Sequence, residues 1–163
     1  MTAIEVSTQL GNCEPFVRIE DATEMVRNSH GRPGAIVIAF DGVEFIGPEL
    51  FDQIDDFWPS SLEGIDALRH AGAGRSRWVD QAIQVDYSSF EASSGETFVH
   101  MRLVIGGAPV EGREAYAELR SYCQAVGDAA ILFFEKATLL EPSRFPPEVY
   151  YMDMIERWRA EDA

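Results

Sequence analysis

Eight apolar residues recur at alternating spacings of three and four along one stretch of the chain: Tyr116, Leu119, Cys123, Val126, Ala130, Phe133, Ala137 and Leu140. A strand repeats every two residues, so this stripe fits only the 3.6-residue period of a helix. The spacing predicts a long helix over about 111–140, closed by the Pro-rich 141–147. Such a helix must lay its apolar side against another layer, and the remaining sequence offers mainly strands.

Residues 3–8 alternate as a strand does, and 16–19 suggest a second, short one. Residues 35–40 are apolar and β-branched, and 43–46 follow after Asp41-Gly42. That dipeptide signals a tight hairpin, because Gly tolerates the positive φ that a tight turn demands. In 77–90, Ile83, Val85 and Tyr87 alternate with Gln84, Asp86 and Ser88. In 97–105, Val99, Met101, Leu103 and Ile105 alternate with His100 and Arg102. The polar 91–96 between these runs predicts an antiparallel pair. Asp21, with Glu24 three residues on, has the form of a helix start. The Gly-rich 71–75 reads as a flexible connector, Gly106-Gly107 as the close of a strand, and 148–159 as a last helix with Tyr151, Ile155 and Trp158 on one side. These elements predict one α+β domain over 1–163, a mostly antiparallel sheet packed against two long helices.

The second long helix is expected at 48–70. Leu50, Ile54, Phe57, Trp58, Leu62, Ile65 and Leu68 mark its apolar side, and the phase continues through Pro59, which predicts a kink and not a break. Residues 33–68 contain eight carboxylates and no Lys or Arg. On a helical wheel Glu49, Asp52, Asp55, Asp56, Glu63 and Asp66 fall within roughly 120° of one another. Like charges at this spacing cost an isolated helix a few tenths of a kcal/mol per pair. A solvated face is the plain reading of that stripe. The unbroken run of one sign favours a second reading, a docking face for a basic protein, with Trp58 at its edge as an anchor.

The whole chain shares this bias, with 28 acids against 13 bases and a net charge of −15. A field of that sign repels nucleic acid and anionic lipid. No apolar run approaches the ~20 residues of a membrane helix, and residues 1–10 have no secretory-signal pattern, so a cytoplasmic protein is expected. Cys13 and Cys123 are far apart and read as free thiols, Cys123 within a buried stripe.

Catalytic patterns are missing. His30, His70 and His100 lack the short paired spacing of zinc ligands. There is no Gly-x-Ser-x-Gly elbow and no phosphate-binding glycine loop. A carboxylate stripe on the outside of a helix is convex, whereas a cation site draws ligands from several elements. No catalytic residue, metal or cofactor is therefore expected. An enzyme or ligand-binding domain remains an alternative, with Arg77, Trp78, Asp86, Tyr87, His100 and Arg102 converging on the paired strands.

The order of a hairpin with Asp-Gly, an acidic helix ending in Phe57-Trp58, two strands introduced by Trp78-Val79-Asp80-Gln81 and a long Phe-containing helix resembles small acidic immunity proteins of bacterial polymorphic toxin systems. The resemblance spans about 35–140. It implies a protein that binds a cognate, basic toxin and blocks its active site or substrate surface. It brings no catalytic residues and leaves the oligomeric state open. Residues 36–46 are also similar to the central strand segment of STAS domains, although 47–50 offer no Ser or Thr for the phosphorylation that those domains use.

Overall fold

A computed structural model of the chain describes residues 2–142 and 148–163. The strands are β1 (Ile4–Leu10), β2 (Val17–Arg18), β3 (Pro33–Phe40), β4 (Val43–Ile46), β5 (Asp52–Gln53), β6 (Ala73–Arg77), β7 (Ile83–Glu91), β8 (Thr97–Ile105) and β9 (Ala108–Glu118). The helices are α1 (Ile54–Ala71), α2 (Leu119–Leu140) and α3 (Glu148–Glu161), with single 3-10 turns at Ile19–Asp21 and Pro48–Leu50.

Two antiparallel sheets form, where the sequence suggested one. The first has the order β2-β1-β3-β4, with β5 on β3 beside β4; the second is the meander β6-β7-β8-β9. Asp41 and Gly42 both take positive φ, 50° and 77°, as the β3–β4 hairpin requires. The inner faces of both sheets share a single core with α1 and α2. An aromatic chain crosses it: Phe40 of β3 lies 6.3 Å from the ring of Tyr122 on α2, which lies 6.2 Å from Tyr87 on β7. The expected α+β domain is what forms, and no described helix is long and apolar enough to cross a membrane.

The expected element boundaries fail in five places, one of them the strand expected over 77–90, which begins only at Ile83 because Arg77 ends β6 and 78–82 is irregular. The helix predicted over 111–140 begins only at Leu119, and Tyr116 is an exposed strand residue of β9. Gly106 and Gly107, at φ 61° and 82°, turn the chain straight back into a hairpin. The helix predicted over 48–70 begins at Ile54, after the 3-10 turn and β5. Pro59 sits inside it, and Ile54, Phe57, Trp58, Leu62, Ile65 and Leu68 are buried along the expected side. The segment after Asp21 continues without a helix. Finally, 71–75 is no loose connector: β6 starts at Ala73 and runs beneath α1. The expected end of the long helix at 141–147 falls largely outside the described residues.

The contact between α1 and β6 is unusually close. A Cβ on Gly64 of α1 would stand 2.5 Å from the Arg75 carbonyl oxygen, and one on Gly74 would stand 1.8 Å from the Gly64 carbonyl oxygen. Two missing side chains thus let helix backbone rest on strand backbone.

Candidate functional site

The six carboxylates of the sequence stripe separate into those that hold the fold together and those that face solvent. Glu49 lies on the 3-10 turn and Asp52 on β5, so neither belongs to the helix. Asp52 is buried and accepts hydrogen bonds from the backbone N–H of Gln53 at 2.7 Å and of Asp80 at 3.2 Å. Asp55 pairs with Arg32 at 3.1 Å, and Arg32 is itself buried, over the ring of Phe133. Arg32 also donates to Glu141 at 3.0 Å, tying the starts of β3 and α1 to the end of α2.

Glu63 and Asp66 face α3. The Tyr151 hydroxyl donates to Glu63 at 2.8 Å, while the Trp158 indole and Arg157 donate to Asp66 at 2.8 and 3.0 Å. Burial pushes the Asp66 carboxyl up, but these hydrogen bonds and the charge of His70 outweigh it and hold its pKa below the ordinary carboxylate value. Arg69 completes the seam by donating to Asp162 and Glu161 near the end of α3. Two of the six carboxylates thus dock a helix of the same chain.

Trp58 is not an exposed anchor. It is fully buried, and its indole donates to Thr8 Oγ1 at 3.3 Å. Trp78 and Trp158 are buried as well. Exposed apolar surface next to the acids comes instead from Phe51, at 41% exposure, and Val79, at 62%. Sequence periodicity could not find them, because both lie outside regular elements.

Three backbone-directed bonds bring them together. Trp78 donates its indole N–H to the Leu50 carbonyl at 2.7 Å, and Gln81 donates to the Phe51 carbonyl at 2.5 Å. The third is the Asp80 N–H on Asp52 already described. Phe57 closes the floor, its ring 4.6 Å from that of Trp78. Exposed Phe51 and Val79 thus stand on two joined segments that also carry Glu49 and Asp80, and Asp56 of α1 lies close enough to feel the charge of Asp80. Glu49 is balanced by Arg113 at 3.0 Å. Asp56 has no such balance among the described residues: partial burial first, then the charges of Asp55, Asp52 and Asp80, raise its carboxyl above the ordinary value. Part of that rise comes from the negative charge of the neighbouring carboxylates.

The alternative cluster on the second sheet does not assemble. Trp78 and Tyr87 are buried on the core side, whereas Asp86, His100 and Arg102 stand on the outer face. A cavity of about 530 Å³ lies between β1 and α2, and two of about 430 and 400 Å³ flank the end of α3; none of the three is lined by these six residues. Among the described residues no three His, Cys, Asp or Glu side chains group as metal ligands would. Cys123 is buried beside Arg69, and burial pushes its thiol up to about 11, the opposite of an activated nucleophile.

Compared with protein-family models, with curated proteins and with solved structures, the chain matches none.

Proposed function

We propose that the chain is a protein-binding inhibitor that occludes a basic partner, and within that reading an immunity protein acting in the bacterial cytoplasm against a cognate toxin. The observation that carries the reading is the corner formed by Phe51, Val79, Asp56 and Asp80. Exposed apolar residues there stand beside carboxylates, and partial burial together with the neighbouring charges raises the Asp56 carboxyl. Apolar anchors within a charged rim are what a protein interface needs: the anchors supply affinity, and the field supplies speed and selection. The net charge of −15 extends that field over the whole molecule. Inhibition by occlusion needs no catalytic group on this chain.

The test is protection by coexpression. The partner to try is a neighbouring gene product that arrests growth when expressed alone. The chain is expected to restore growth and to bind that product with an association rate that falls steeply as salt rises. Asp52 and Asp55 hold the fold, so the informative variant is Asp56→Lys with Asp80→Lys. It should slow association roughly tenfold or more while the domain stays folded. Undiminished binding and protection by that variant would overturn this surface as the docking site. If no neighbouring product is toxic or bound, the immunity reading falls.

A further inference from the structure

The outer face of the second sheet carries a pattern that the proposed inhibitory surface does not use. Arg75 of β6, Asp86 of β7, Arg102 of β8 and Glu114 of β9 are direct cross-strand neighbours, one rung across all four strands. Their charges read plus, minus, plus, minus. Within the chain Arg75 donates to Asp86 at 2.7 Å, and Arg102 lies 3.7 Å from the same carboxylate. The next rung is Ala73, Ser88, His100 and Tyr116, two small residues followed by two large ones. The His100 and Tyr116 rings stack at 4.5 Å. Beyond it Phe90 and Phe98 stack at 5.9 Å. Phe90 and Tyr116 are 45% and 55% exposed, unusual for aromatic residues on so acidic a chain.

We infer that this face is the interface of a homodimer, two copies packed sheet against sheet about a twofold axis parallel to the strands. That rotation reverses each rung. Arg75 then meets the second copy's Glu114, and Asp86 meets its Arg102, so every charge in the rung faces its opposite. The same rotation sets Tyr116 over Ala73 and His100 over Ser88, large against small, and Phe90 over Phe98. Sheets packed face to face stand about 10 Å apart, a gap that an arginine and a carboxylate span together. The four rung charges cancel, so two chains of −15 meet here across a rung without net charge. Four strands of this length present on the order of 500 Å² per copy. Two such faces reach about 1,000 Å², the lower limit for a specific interface.

The test is sedimentation of the full chain over a concentration series, at about 0.15 M salt to damp repulsion beyond about 8 Å. The wild type should pass from monomer to dimer. Arg75→Glu and Glu114→Arg should each weaken self-association at least tenfold, because each places like charges opposite one another twice. Mixed together, the two variants should form a heterodimer close to wild-type strength, since the rotation then matches every pair again. A fold defect in either variant would not be cured by mixing. A wild type that remains monomeric at about 500 µM overturns the dimer and leaves the face to another protein. Variants that weaken association without mutual rescue overturn the axis proposed here.

Discussion

The indole N–H of Trp158 donates to the Asp66 carboxylate across 2.8 Å, joining α3 to α1 through a tryptophan that is 1% exposed. Replacing Asp66 with Ala leaves that buried donor without its acceptor and should lower unfolding free energy by about 2 kcal/mol. Asp66→Asn keeps an acceptor oxygen and should cost less. The pH dependence has a definite sign. The folded carboxyl titrates below its unfolded value, so its stabilisation is present above about pH 4 and fades as pH falls through the lower, folded value. Denaturant midpoints of wild type and Asp66→Ala should therefore draw together in acid.

Asp56 should behave in the opposite way. Its carboxyl is raised by partial burial and by Asp55, Asp52 and Asp80, so its ionised form opposes folding. Asp56→Asn should raise the melting temperature at pH 7, by an amount worth less than about 1 kcal/mol because the side chain is exposed and screened. The difference should disappear below about pH 4, where the wild-type group is protonated in both states. An NMR titration that found Asp56 ionising below the ordinary value would contradict the like-charge crowding described above.

Gly64 tests the helix–strand contact. In an exposed helix interior Gly→Ala stabilises by about 1 kcal/mol. Here the new methyl would meet the Arg75 backbone at 2.5 Å, so α1 and β6 must separate. The expected result is a loss of about 2 kcal/mol, measured by chemical denaturation.

The two thiols should react on different timescales. Cys13 is exposed, whereas Cys123 is buried with its thiol pushed up to about 11. An aromatic disulfide reagent at pH 8 should label one thiol per chain quickly and the second only after unfolding. Rapid labelling of both in the native state would show that the seam between α2 and α3 opens readily.

Much of this architecture is legible from local pattern. The alternation in 97–105 marked β8 with its observed bounds, and Asp41-Gly42 marked its hairpin. The apolar side of α1 was readable through Pro59, because burial of Phe57, Trp58 and Leu62 outweighs one lost backbone hydrogen bond. The failures have a common origin in glycine and long-range pairing. Gly106-Gly107 is as good a hairpin turn as Asp-Gly, and it converted residues 111–118 of the expected long helix into β9. Gly74 reads as flexibility until Gly64 is seen above it. The acidic stripe was legible as charge but not as contact. Tyr151, Arg157 and Trp158, which bind two of its six acids, lie some ninety residues away in sequence.

The three buried indoles give the molecule internal reporters. Each donates across a different joint: Trp58 to Thr8 on β1, Trp78 to the Leu50 carbonyl beside the candidate docking corner, and Trp158 of α3 to Asp66 on α1. Chains that keep one tryptophan and carry phenylalanine at the other two should each emit a signal assigned to one joint. With denaturant added slowly, their red shifts would time the separation of the final helix, the corner and the first sheet, and so resolve whether this domain comes apart as one unit or in sequence.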